Sequence, residues 1–347
     1  VWDWRFSMWA LQTTANQKSN IVPRTSVLPD AFLDRLRTIV PPEHYDAVAA
    51  SFAAPQATGF RVNTLRAEAS SVLDALRDGG LHPHAADGIP GGFWVEAAER
   101  AALLDGTPYA EGHVYVQNLA SQLPPLVLDP QPGETVLDLC AAPGSKTRQL
   151  ATLMQDEGRI VAVEVVRKRY YKLRDNLAQQ GSTLAEPVCA NGAGFWHRSP
   201  EAFDRVLLDA PCSTEGRFRT DTPETTRYWS RRKIKEMRSK QQKLLFSGIQ
   251  ALRPGGTLVY STCTFAPEEN EAVLAKALRT FGDAIELLPV TLDGEALALP
   301  NTQPTLSEWN GRAFPDEVGA AVRVLPSATM EAFFVAKLTK HASTLRG

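Results

Sequence analysis

The chain has 347 residues, 44% hydrophobic and 22% charged, an ordinary balance for a folded protein with a large core and length enough for two or three domains. Lys plus Arg number 37 against 39 for Asp plus Glu, so the net charge of −2 excludes a polycationic nucleic-acid binder and confines any basic surface to a patch. No apolar run reaches the ~18 residues of a membrane span. The four cysteines, Cys140, Cys189, Cys212 and Cys263, are too widely spaced for a zinc site or a disulfide framework.

In chain order, VWDWRFSMWALQ has no basic segment ahead of an apolar one, so no secretory signal is expected; it opens on Val1, and Met8 offers a start. Residues 1–24 are Trp-rich, then polar without period, and read as a poorly ordered lead-in. LPDAFLDRLRTIV has apolar residues at helical spacing after a helix-start pair, Pro29-Asp30. PEHYDAVAASFA reads as a second helix, GFRVNTL as a strand, ASSVLDALRDGG as a helix closed by Gly79-Gly80, and GGFWVE as a short strand. Without a regular βαβ rhythm, residues 25–112 are expected to form a small α+β domain.

From residue 113 to 347 the rhythm becomes doubly wound. YVQNLASQLPPLVL is a helix and connection. ETVLDLC, GRIVAVE, AEPVCAN, DRVLLD and TLVYSTC read as parallel strands. The helices between them are SKTRQLATLMQ, VRKRYYKLRDNLAQQ (stopped by Gly181) and RRKIKEMRSKQQKLLFSGIQAL, the last ended by Arg253-Pro254-Gly255-Gly256. PEENEAVLAKALRTF is a helix, and AIELLPV and MEAFFVAKL are closing strands. Residues 291–320, rich in Pro, Gly and polar groups, are expected to be a loop over one face.

Three segments follow strand ends, the edge where open α/β sheets bind ligands. The first is CAAPGSKT, Cys140 through Lys146 and beyond: a turn of small residues that lets backbone approach a ligand, running into a helix. It is not a phosphate loop, because Ser145 precedes Lys146 and Cys140 stands where the first glycine belongs, and G-x-G-x-x-G is absent. Glu164, ending the second parallel strand, has the place of an acid that accepts from ribose hydroxyls. The other two segments carry cysteines, Asp209-Ala210-Pro211-Cys212 and Ser261-Thr262-Cys263-Thr264. Cys189, by contrast, reads as a small core hydrophobe, and Cys140 as packed without reactivity.

These motifs resemble the RNA cytosine-5 methyltransferases, the family of bacterial ribosomal-RNA enzymes and their NOL1/NOP2/Sun relatives, over residues 27–338. The resemblance implies a Rossmann-like class I methyltransferase sheet with an antiparallel edge hairpin. It implies S-adenosylmethionine bound by Cys140, Ala141, Ala142, Pro143, Gly144, Ser145, Lys146, Glu164, Asp209 and the residue after the third strand. That residue is Asn191 here, where the family usually has Asp; its side-chain oxygen can still accept from an adenine amino group. Ser327 and Ala332 likewise stand where relatives often carry His and Gly.

The chemistry accounts for two cysteines. Carbon 5 of cytosine is a poor nucleophile until a thiolate adds to carbon 6. The resemblance makes Cys263 the nucleophile and Cys212 the group that promotes product release, while Asp209 positions the base and stabilises developing charge. DNA methyltransferases attack with the Pro-Cys cysteine, so the Thr262-Cys263 pair favours RNA. Between 217 and 243, ten cations face three carboxylates; Arg217, Arg219, Arg227, Arg231, Arg232 and Lys233 are candidate RNA contacts, with Tyr228 and Trp229 to stack on bases. Arg61, in the family-like run RVNTL, is a further candidate, for RNA or for domain packing. The expected protein is a cytoplasmic monomer without metal, acting on ribosomal RNA, with transfer RNA second; a silent RNA-binding assembly factor is the alternative that loss of either cysteine would have favoured.

Overall fold

The computed structural model describes residues 28–345 apart from Gly181, so the expected lead-in, Met8 and the stop at Gly181 lie outside the described residues. Helix α1 (Asp30–Ile39) starts after Pro29 and buries Phe32, Leu36 and Ile39, one face of its apolar spacing. Helix α2 (Pro42–Ser51) begins on a proline, whose missing N–H costs nothing in a first turn. Strand β1 (Thr58–Val62), α3 (Ala69–Asp78), β2 (His84–Ala85), β3 (Gly92–Val95), α4 (Arg100–Asp105), α5 (Thr107–Ala110) and β4 (Val114–Val116) follow. The strands pair in the order β2-β3-β1-β4, antiparallel, over a core of Phe60, Val72, Leu76, Val95 and Leu103. β4 carries this sheet past residue 112, where the change of rhythm falls.

Helix α6 (Leu119–Leu128) is capped by the Asn118 side chain, which accepts from the Ala120 N–H at 3.0 Å, and is buried on nearly every side. The second sheet comprises β5 (Thr135–Asp138), β6 (Arg159–Glu164), β7 (Ala185–Cys189), β8 (Phe203–Asp209) and β9 (Leu252–Thr262), parallel in the order β7-β6-β5-β8-β9. Helices α7 (Ser145–Leu153), α8 (Arg167–Gln180), α9 (Arg231–Ala251) and α10 (Glu271–Phe281) intervene. Both faces are covered, which is why these strands read as unbroken apolar runs: Val206 and Leu208 face a core with Leu244 and Leu245 of α9, while Leu207 and Val259 face one with Leu119 and Leu123 of α6.

Strands β10 (Ile285–Leu288), β11 (Thr302–Pro304), β12 (Val322–Val324) and β13 (Phe333–Lys340) complete the sheet. β13 runs antiparallel to β9, and β12 and β10 share its other edge. Segment 291–320 is therefore more than the expected loop. Its strand β11 pairs with β12 just beyond it, and the buried Gln303 side chain donates to the Ile39 carbonyl at 3.3 Å, which ties the segment to α1. The α1–α2 hairpin packs on Phe218, Phe265, Leu325 and Ala332, with Phe32 and Phe218 edge to face at 4.9 Å, so it leans on the loops after β8 and β9. Among the described residues no helix is long and apolar enough to cross a membrane. Strand order reverses between β5 and β8, which opens the ligand crevice of such sheets at their carboxyl ends.

Candidate active site

β8 ends at Asp209 and β9 at Thr262. The strands are parallel neighbours with Asp209 opposite Ser261, so the loops that leave them run side by side. This brings the Sγ atoms of Cys212 and Cys263 to 3.4 Å, both residues half-buried. The loops are braced from below. The Ser213 and Thr264 hydroxyls meet at 2.8 Å, and Gly216 N–H donates to the Cys263 carbonyl at 3.0 Å. Glu215, 1% exposed, accepts from Thr264 Oγ1 at 2.9 Å, Phe265 N at 3.1 Å and Trp229 Nε1 at 2.8 Å.

The run after the second cysteine supplies the rest. Glu268 takes a forked pair of bonds from Arg35 of α1, at 3.1 and 2.7 Å. Glu269 accepts from Ser213 N at 3.0 Å and from Gln241 Nε2 at 2.8 Å, and the same amide holds the Pro211 carbonyl at 2.9 Å. Asn270 accepts from Thr262 Oγ1 at 2.6 Å and donates to the Thr264 carbonyl at 2.9 Å. Glu271 is paired with Arg323 at 2.7 and 2.6 Å.

The two thiols differ in acidity. A bond donated by Cys212 holds the Cys263 thiol below its ordinary value; burial opposes this, and the Arg217 charge adds to the lowering. The same bond, together with burial, pushes Cys212 well up. Cys263 is thus the sulfur that gives up its proton the more readily, as a nucleophile must. Arg217 is steadied by Glu331, to which its Nε donates at 2.9 Å. Burial pushes the Glu269 carboxyl up to about 8, and pushes Glu215 upward too.

Asp209 faces the same crevice. Its Oδ2 accepts from Lys146 Nζ at 2.7 Å and its Oδ1 from Ser261 Oγ at 2.9 Å; Lys146 also donates to Ser121 Oγ at 2.6 Å. Lys146 is buried, so the turn after β5 and the loop after β8 are joined by an ion pair. Behind it Asp138 accepts from Thr147 Oγ1 at 2.8 Å, its carboxyl raised to about 7 by burial. In the turn, Ala141 and Ala142 are buried, the Ala142–Pro143 peptide is cis, and Gly144 has φ +108°, with Leu173 Cδ1 3.1 Å from where a Cβ would stand. The half-buried Cys140 has its thiol raised by burial. Glu164 ends β6 with its Oε1 taking the Val166 N–H at 2.7 Å and its Oε2 3.3 Å from Arg169. Asn191 follows β7, its Oδ1 accepting from Ala193 N at 3.1 Å.

The cationic candidates divide. Arg227, Arg231 and Arg232 are exposed, and Lys233 is half-buried near Glu236 at 3.4 Å. Tyr228 is 74% exposed, with the Arg227 guanidinium 5.3 Å from its ring. Four expectations are corrected, and for Arg61 the domain-packing alternative is the one the structure bears out. Arg61 is buried, donating to Gln117 Oε1 at 2.9 Å and to the Ser145 carbonyl at 3.2 Å, and burial lowers its guanidinium to about 10; it packs the first sheet onto the turn after β5. Trp229 is half-buried, spends its N–H on Glu215 and packs edge-on to Phe32, so it serves the support of the cysteine loop and not an exposed stacking platform. Arg219 donates to the Ser51 carbonyl at 3.2 Å and to that of Ala54, holding the end of α2. Cys189 is also exposed, not a core residue.

Sequence reasoning passed over Glu215, Glu269, Asn270, Glu271 and Arg35. The signal was present in APEENE: acids directly after a cysteine loop, at the start of an apolar helix.

A doubly wound sheet with an antiparallel edge strand, a small-residue turn after its first parallel strand and reactive groups after its fourth and fifth define a Rossmann-like methyltransferase. The chain belongs to the 16S rRNA methyltransferase RsmB/F family, whose profile matches residues 125–339; that of the N-terminal domain of 16S rRNA methyltransferase RsmF matches residues 28–119. The chain is 36% identical over 321 residues to ribosomal RNA small subunit methyltransferase F of Vibrio parahaemolyticus, and 37% identical over 322 residues to the protein of that name from Escherichia coli O9:H4. Each alignment covers 91% of this chain and 64% of the relative, so the chain spans less than two thirds of their length. Among solved structures, a methyltransferase homolog protein from Pyrococcus horikoshii superposes with a TM-score of 0.77 at 32% identity, covering 90% of this chain and 95% of that one.

Proposed function

We propose that this chain transfers a methyl group from S-adenosylmethionine to carbon 5 of a cytosine in RNA, with small-subunit ribosomal RNA as substrate. The observation that carries the proposal is the 3.4 Å approach of two sulfurs, one with its thiol made more acidic by the other, beside an aspartate at the crevice of a methyltransferase sheet. The names of the 36–37% identical relatives support ribosomal over transfer RNA. The thiol pair, which must stay reduced, suits the cytoplasm.

The residues present fit the cofactor. The turn of Cys140 through Lys146 offers small side chains and a glycine at positive φ, so backbone can approach a ligand, and Glu164 stands at the strand end where a ribose is met. Asn191 and Asp209 border the same crevice. S-adenosylmethionine supplies an electrophilic methyl when bound there. The chain's own residues do the rest. Cys263 adds to carbon 6 of the cytosine, which raises electron density at carbon 5. Asp209, oriented by Lys146 and Ser261, accepts from the cytosine amino group and so positions the base for attack. Once carbon 5 has taken the methyl group, its proton passes to solvent, the C–H electron pair restores the double bond, and the carbon–sulfur pair returns to the Cys263 sulfur. Cys212 returns its S–H bond to the departing Cys263 thiolate, which makes it a better leaving group.

Cys263→Ala is expected to abolish methylation of ribosomal RNA while S-adenosylmethionine binding persists by calorimetry. Cys212→Ala is expected to accumulate a denaturant-resistant protein–RNA adduct, seen as a shifted band. Full activity of the first variant, or no adduct from the second, would overturn the assignment.

A further inference from the structure

The cations of residues 217–243 do not form one uniform surface. Arg231, Lys235 and Arg238 stand on a single face of α9, at positions i, i+4 and i+7. With Arg35 and Thr38 of α1 and with Trp309-Asn310, that face encloses a cavity of about 520 Å³. Two carboxylates also border it, and both are already committed: Glu268 to Arg35 at 2.7 Å, and Asp34 to Arg37 at 3.0 Å. Arg231, Lys235 and Arg238 have no carboxylate partner among the described residues. The Nε groups of Arg35 and Arg238 are buried and without a hydrogen-bond partner, an unfavourable state unless an acceptor arrives. The Arg35 guanidinium lies 5.2 Å from the centre of the Trp309 ring, which keeps it in the wall of the cavity. Glu268 borders the cavity while its neighbour Glu269 holds Ser213 of the cysteine loop, so the cavity is one residue removed from the support of the reactive sulfurs.

We propose that this cavity seats one backbone phosphate of the substrate RNA and fixes the strand's register relative to Cys263. Unpaired cations and spare N–H donors from separate elements match an oxyanion and offer nothing to a cation or an apolar group. Phosphate contacts position a nucleic acid without reading its sequence, the task left once a separate crevice handles the base. The inference rests on the reading of RNA as substrate.

The test uses the full chain and fluorescein-labelled small-subunit ribosomal RNA, with affinity followed by anisotropy from 0.05 to 0.3 M salt. Two variants are compared. Arg238→Gln removes a cation from α9. Thr38→Glu leaves every cation in place and puts a negative charge on the opposite wall. One phosphate contact contributes about 0.7–0.9 to the slope of log affinity against log salt, equivalent to about five- to eightfold at 0.1 M. Each variant is expected to lose about that much in affinity and in slope, with S-adenosylmethionine binding unchanged as the control for folding. Wild-type affinity and slope in Thr38→Glu would overturn the cavity while leaving the RNA reading intact. Failure of the unaltered chain to bind the RNA at any salt would overturn both.

Discussion

Glu269 sits fully buried beneath the loop that carries Cys212, and the substitution Glu269→Gln isolates what its charge does. Burial raises its carboxyl from an ordinary 4.5 to about 8. Between those values the folded protein holds a proton that the unfolded chain has released. Stability therefore falls as pH rises: the contribution is complete below about 4.5 and is lost as pH climbs through about 8. Each pH unit in that window is worth about 1.4 kcal/mol, so the carboxyl weakens the fold by about 3 kcal/mol between pH 5 and pH 7.5. Glutamine reproduces the protonated shape. Its oxygen can keep the bonds from Ser213 and Gln241, which both reach Oε2, and its amide takes the place of Oε1, which has no partner. Urea unfolding across this range should give nearly equal stabilities near pH 5 and a variant about 3 kcal/mol more stable at pH 7.5. Asp138, also raised, slopes the same way in both proteins and cancels in the difference. A wild-type-minus-variant difference that stays flat with pH would refute the argument.

Arg217→Gln withdraws a charge that lowers the Cys263 thiol, so the pH midpoint of Cys263 alkylation, read by peptide mass spectrometry, is expected to move upward. Arg323→Met leaves the buried Glu271 carboxylate unpaired and should cost about 3–5 kcal/mol in unfolding free energy, measured by denaturant titration. Gly216→Ala would set a Cβ 2.5 Å from the Ala332 carbonyl oxygen and 3.1 Å from that of Cys263, both backbone atoms. A loss of about 1–3 kcal/mol is expected, with a lowered melting temperature and reduced methylation.

The interior of the second sheet was legible because parallel strands buried on both faces must be apolar throughout, as in VLLD of β8 and LVYST of β9. The cysteine loops were legible because they follow such strands. β11, with the sequence TQP, gave no such signal: it is three residues long and holds its place through one edge pairing and a buried glutamine. Arg61 and Trp229 misled for a related reason. The sequence around each shows no partner for its polar group, because Gln117, Ser145 and Glu215 come from other elements. Glu269 and Glu271 look like the solvated first turn of a helix, and only the crossing of α9 and β12 encloses them.

Residues 268–271 each fasten a different segment: α1, the Pro-Cys loop, the Thr-Cys loop and β12. Four consecutive side chains thus act as a keystone whose slippage would release every piece at once. Both sulfurs, the α1 wall and β12 are bound to share one opening event, with amides across them exchanging at a common rate.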